Sequence, residues 1–144
     1  MRKANQMNRV SLVFPLDVED NWPPVGAESI PFEPGDGSYR TLAPPLFVKD
    51  LSVGDVISAE LDAKGSVRAW RHARRSAHTT VWLLRLAAPN HIEEALTRLR
   101  ALGCNTVSLP QAGIHSVDVP SSVVMADVDA VLSMLDENSV GIAF

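Results

Sequence analysis

The sequence predicts an α+β protein. A β-rich half, a small barrel-like or strongly bent sheet over residues 9–75, is followed by a ferredoxin-like βαββαβ unit over residues 76–144. Three observations lead there. Short alternating segments separated by Gly, Pro and Asp turns crowd the first half. Two amphipathic helical stripes, each set between strand-like runs, mark the second half. Hydrophobic residues make up 46% of the chain and charged residues 21%, an ordinary globular balance that argues against disorder. The two halves are expected to pack as one unit.

The first eight residues are polar and read as a frayed start. Val10–Phe14 reads as a strand. Residues 15–37 are dense in Pro, Gly and acids, and proline removes a backbone donor, so only short edge strands and turns fit there. Ala27–Phe32 is the candidate. Gly35-Asp36-Gly37 is a turn signal, and a hairpin pairing 27–33 with 38–43 is expected. A semi-apolar stretch, Leu46–Leu51, leads to the turn pair Gly54-Asp55. Val56–Leu61 then alternates, with Val56, Ser58 and Glu60 opposite Ile57, Ala59 and Leu61. Ala63-Lys64-Gly65 is a tight turn, and Ser66–Arg74 is the partner strand.

In the second half, Thr79–Leu86 is β-branched and apolar, hence a strand. Asn90, with Glu93 three positions on, resembles a capping box at a helix start. Ile92, Ala95, Leu96, Leu99 and Leu102 fall on one helical face, and Gly103 suits a left-handed C-cap. Asn105–Leu109 and Ile114–Val119 read as strands around a Pro110–Gly113 turn. Val124, Val128, Val131, Leu132 and Leu135 form a second helical stripe, and Val140–Phe144 closes as a strand. Right-handed crossovers would put both helices on one face of a four-stranded sheet.

Charge is unevenly spread along the chain. Residues 1–63 carry −5, residues 64–100 carry +6, and residues 101–144 carry −5. A basic middle between acidic ends can make a polar interaction face, or the blocks can intermix on the folded surface. No run of apolar residues is long enough for a membrane span, and Val10–Phe14 is too short for a signal-peptide core, so a cytoplasmic protein is expected. A single cysteine, Cys104, cannot close an internal disulfide, which fits a reducing compartment.

Two clusters stand out as candidate binding residues. The acids Asp17, Glu19 and Asp20 lie beside Trp22, with Glu28 and Glu33 continuing the acidic stretch; such a platform suits a basic partner. The competing reading is that Trp22 plugs a barrel end while the acids are solvated. The second cluster is the basic strand Ser66–Arg75. Simple alternation puts Arg68, Trp70, His72 and Arg74 on one face, an aromatic plane beside cations that suits a base, a phosphate or an acidic protein. Its competing reading is a solvated edge whose arginines pair with nearby acids.

His78 starts a strand, where it could act as a base or lock a junction. His72, His78, His91 and His115 show no metal spacing, and neither metal nor cofactor is expected. Cys104 reads as a small buried hydrophobe. Catalytic motifs are absent from the sequence, so an enzyme is not expected.

Several segments together resemble the bacterial domain-of-unknown-function family 4265: Asn21-Trp-Pro-Pro24, Glu28-Ser29, Gly37-Ser-Tyr-Arg40, Leu51-Ser-Val-Gly-Asp-Val56, Ser76-Ala-His-Thr-Thr-Val81 and Arg100-Ala-Leu-Gly-Cys104. The resemblance covers roughly residues 9–144. It implies a bacterial protein of a family with no established common activity. The sequence departs from the pattern at its end, stopping at Phe144 short of the longer acidic and aromatic tail expected of relatives. By analogy with other small acidic bacterial proteins, the leading expectation is an immunity protein that binds and neutralises a cognate, basic toxin. The alternative is a nucleic-acid or nucleotide-binding module built on the 66–75 strand.

Overall fold

Strands form where β-branched and aromatic residues cluster, and the turns between them are rich in proline, which lacks a backbone donor, and glycine, which tolerates positive φ. The computed structural model describes residues 9–144. The chain divides into two units, Met1–Ser76 and Ala77–Phe144. The fold is mixed α+β, with antiparallel sheets in both units.

The first unit is a five-stranded antiparallel meander, β1 (Val10–Pro15), β2 (Ala27–Pro34), β3 (Tyr39–Thr41), β4 (Val56–Leu61) and β5 (Val67–Arg74), in that order across the sheet. The expected hairpin is present, with Phe32 opposite Thr41 and Glu33 opposite Arg40. The sheet bends far enough for β1 to meet the start of β5 through one isolated parallel bridge, Val13 to Ser66. It does not close into a barrel. β1 ends at Pro15, which has no N–H to give, and β5 is broken near its start by a bulge. Inside the bend lie Leu12, Phe14, Ile30, Phe32, Val48, Leu51, Ile57 and Val67. Phe32 sits among aromatic neighbours, its ring centroid 6.0 Å from Phe14 and 6.2 Å from Tyr39.

The alternation expected of β4 holds only in part. Ile57 is buried and Ala59 packs against the core, but Leu61 is exposed. The register shifts between Glu60 and Leu61, where Glu60 faces Ala69 and Leu61 faces Val67, so Arg68 is the extra residue.

The second unit runs β6 (Thr79–Arg85), α1 (Ile92–Ala101), β7 (Asn105–Leu109), β8 (Ile114–Val119), α2 (Met125–Leu132) and β9 (Val140–Ala143). Its sheet has the order β7-β8-β6-β9, antiparallel throughout. A short 3-10 turn, Pro110–Ala112, joins β7 to β8 and ends at Gly113, whose φ of 68° suits a residue without a side chain. A Cβ there would also come within 2.9 Å of Arg85 Cβ.

Val81, Leu83, Val117 and Val119 of the sheet form one core with Ile92, Leu96 and Leu99 of α1 and Val128 and Leu132 of α2. The α1 stripe is therefore as expected. Its start differs slightly: His91 is the N-cap residue, at φ 57°, and Asn90 reaches past it to accept the Ile92 N–H at 3.1 Å. The α2 stripe is narrower than expected. Val124 precedes the helix and is 60% exposed, while Val128 and Leu132 are buried.

Two substitutions separate these roles. Leu96→Ala removes a fully buried side chain and is expected to cost about 2–5 kcal/mol in chemical denaturation. Val124→Ala is expected to stay within about 0.5 kcal/mol of the parent. A large loss at Val124 would place it in the helix interface after all.

Candidate functional site

A broad open groove of about 640 Å³ lies on the first unit. One side is the long β1–β2 connection. Leu16 extends the ladder by one bond, its N–H donating to Gly26 carbonyl oxygen at 2.9 Å. Beyond it the chain doubles back in a two-residue turn. Glu19 and Trp22 exchange backbone hydrogen bonds at 2.9 and 3.0 Å, and the central residues Asp20 and Asn21 have φ of 54° and 63°. Positive φ at both positions defines the tight primed turn, and Asp and Asn tolerate it better than most residues. The turn carries Trp22 out over the groove, 44% exposed.

The 46–49 loop also lines the groove and is held by a carboxylate. Glu28 on β2 accepts the N–H groups of Leu46, Phe47 at 2.9 Å and Val48 at 3.0 Å. Three donors on one carboxylate fix a segment that belongs to neither helix nor strand. Phe47 is thereby set edge-on to Trp22, with ring centroids 5.9 Å apart. Trp70 of β5 completes the aromatic lining, half-buried and edge-on to Phe14 at 6.2 Å. Asp17, Glu19 and Asp20 line the same groove, and Lys49 brings one cation.

The candidate residues therefore sort differently from their order in the sequence. Asp17, Glu19, Asp20 and Trp22 come together as expected. Glu28 does not line the groove, and its carboxylate accepts from the 46–48 backbone. Glu33 lies away from the groove, paired with its cross-strand neighbour Arg40. Phe47, Val48 and Lys49 were missed; their only signal was the semi-apolar run after Pro45.

The basic strand also needs correction. Arg68, Trp70, His72 and Arg74 do not share one open face. The bulge at Arg68 shifts the phase of β5, so Val67 is buried and Trp70 and His72 turn inward, while Arg68 and Arg74 stay exposed. A second register shift falls between Val56 and Ile57, near Arg74. Of the neighbouring arginines, Arg75 grips Asp50 with two bonds, at 2.8 and 3.0 Å, and Arg71 donates to Ser58 Oγ at 3.3 Å.

His72 is held by Asp55, with Nε2 2.9 Å from Oδ2. Asp55 is buried and also accepts the N–H of Ser52 at 3.0 Å and of Ser76 at 2.7 Å. Its own backbone carbonyl takes the Thr41 N–H at 2.9 Å and the Thr41 hydroxyl at 3.0 Å. Burial alone would raise its pKa. The donors of Ser76, Ser52 and His72 outweigh that, and the net direction is down from 3.8.

In the second unit, His78 Nδ1 lies 2.7 Å from Asp118 Oδ1, and Asn105 Nδ2 donates to Asp118 Oδ2 at 3.1 Å. Asp118 is 1% exposed. The cluster ties the start of β6 to β8 and β7. Cys104 is buried, and burial, with the charge of Asp118 second, pushes its thiol pKa up, away from a nucleophilic thiolate. His115 is also buried, with Nδ1 2.7 Å from Ser108 Oγ, and burial lowers its pKa. Among the described residues, no group of three or more His, Cys, Asp or Glu is placed to hold a metal ion. No described helix is long and apolar enough to cross a membrane.

Two predictions follow from the carboxylates. Asp55→Asn is expected to lose about 1.5–3 kcal/mol at neutral pH. A carboxylate whose folded pKa is depressed stabilises above its unfolded value near 3.8 and loses that effect as pH falls through the lower folded value. The gap between parent and variant should therefore narrow below about pH 4 in urea titrations. Glu28→Ala is expected to speed amide exchange at Leu46, Phe47 and Val48 by about tenfold or more, with exchange in β6 and β8 unchanged.

A solved structure, "Novel crystal structure of a hypothetical protein from Neisseria gonorrhoeae", is similar in fold, with a TM-score of 0.66 at 18% identity, over 94% of this chain and 92% of that one. Comparison with the curated proteins finds no match. The family model for "Domain of unknown function (DUF4265)" matches residues 28–142, most of the chain, and the protein belongs to that family.

Proposed function

We propose that this is a non-enzymatic binding protein that engages a basic protein partner through the groove of its first unit. In its specific form, it is an immunity protein that neutralises a cognate bacterial toxin by covering it. One observation carries the reading: Asp17, Glu19, Asp20 and Trp22 converge on one concavity with Phe47 and Trp70. Aromatic side chains that are partly exposed at a concave surface are the commonest anchors of protein interfaces. The surrounding carboxylates would speed encounter with a basic surface and disfavour acidic competitors. A net charge of −4 acts in the same direction at longer range. The cytoplasm is the compartment that goes with this role, and a lone buried cysteine is compatible with it.

We also infer that the second unit is a ferredoxin-like split βαβ. Its element order and the strand order β7-β8-β6-β9 support that reading. In this arrangement the second unit would be a scaffold and the first would carry the recognition surface. The nucleic-acid alternative needs Arg68, Trp70, His72 and Arg74 on one open face, and the bulge at Arg68 separates them.

The test is co-expression with the product of an adjacent toxin gene. The expected result is a stable complex and protected cells. Trp22→Ala should weaken the complex by about tenfold or more. Full-strength capture by a Trp22→Ala, Asp17→Asn, Glu19→Gln variant would move the interface off this groove. Cells that die despite a folded protein would remove the immunity role.

A further inference from the structure

Resting on that reading, we infer that the groove recognises an arginine side chain presented on an extended segment of the partner. Three features of the lining select this chemistry. First, Trp22, Phe47 and Trp70 give the concavity aromatic surfaces, and the electron-rich face of an indole attracts a cation. Trp70 is held against Phe14 and Trp22 against Phe47, so both rings are set before a ligand arrives. Little ordering is then left to binding.

Second, Asp17, Glu19 and Asp20 line the same groove as these rings, against the single cation Lys49. The lining is therefore net negative even with its resident lysine. An anionic or neutral occupant would leave those charges unanswered, whereas a cation answers them. Third, a groove of about 640 Å³, open to solvent, accommodates a long side chain with its flanking backbone. Arginine fits better than lysine. Its guanidinium is planar, stacks on an aromatic face, is weakly hydrated and can bond a carboxylate with two parallel N–H groups. An ammonium would keep more of its water.

The experiment follows the indole N–H signals of Trp22 and Trp70 by NMR in the full-length protein. A capped pentapeptide with one central arginine between glycines is titrated in, beside the same peptide carrying citrulline, which keeps the shape and loses the charge. The arginine peptide is expected to shift both signals saturably, and citrulline to bind about tenfold more weakly. A lysine peptide should fall between them. Asp17→Asn with Glu19→Gln, both exposed positions, should narrow the gap between arginine and citrulline, and added salt should act in the same direction.

Equal affinity for the two peptides, or signals that do not move, would overturn the arginine assignment. That failure is distinct from failure of the broader reading. A partner captured in a Trp22-dependent way by a groove indifferent to arginine keeps the interface and loses the chemistry. A groove that binds arginine peptides without any toxin partner keeps the chemistry and loses the immunity role.

Discussion

A backbone N–H outside a helix or strand must still find an acceptor, and in this chain carboxylates meet much of that need. Glu28 accepts from Leu46, Phe47 and Val48. Asp55 accepts from Ser52 and Ser76 and holds His72. Asp62 accepts from Lys64 and Ser66 at the β4–β5 turn. Each carboxylate fixes a segment that has no ladder of its own. The first unit, a bent sheet with a three-residue central strand, is shaped by these ties as much as by its apolar interior. They also explain how an open sheet keeps its curvature: the connections are pinned to it.

This arrangement changes the meaning of the acidic charge in the first half. Ten Asp and Glu residues among residues 1–63 look like an interaction surface when counted along the chain. In the fold, Glu28, Asp55 and Asp62 serve the backbone, while Glu33 and Asp50 pair with Arg40 and Arg75. Exposed pairs such as the last two contribute little to stability, but they do remove their charges from display. Among the described residues, Asp17, Glu19, Asp20, Asp36 and Glu60 form no such ion pair, and of these Asp17, Glu19 and Asp20 stand together at the groove. The effective acidic surface is smaller and more local than the composition implies.

Much of the fold was legible because it is local. The β2–β3 hairpin follows from Gly35-Asp36-Gly37, and α1 follows from the spacing of Ile92, Ala95, Leu96 and Leu99. The parts that were not legible depend on partners far along the chain. A bulge at Arg68 is set by how β5 pairs with β4, and it reverses the facing of Trp70 and His72, which strict alternation places beside Arg68. Glu28 bonds residues 18 to 20 positions away, and no short-range pattern marks it as an acceptor. Val124 continues the apolar spacing of α2, yet Pro120 to Val123 form a turn that delays the helix until Met125.

The groove residues can be sorted by what local structure already demands of them. Asp20 and Asn21 occupy turn positions with positive φ, where Asp and Asn are favoured whatever the protein binds. The charge of Asp20 is therefore explained twice and is weak support for a ligand. Phe47 is fixed by Glu28, and Trp70 contributes to the core that includes Phe14, so their presence also has a structural cause. Asp17 and Glu19 are different. They are exposed, their side chains cap no turn among the described residues, and the backbone at neither position needs an acid. Trp22 packs edge-on against Phe47 yet leaves a large apolar ring 44% exposed. The fold asks for no acid at Asp17 or Glu19, and with Trp22 they set an aromatic surface beside two carboxylates, which is the feature that the proposed cationic partner rests on.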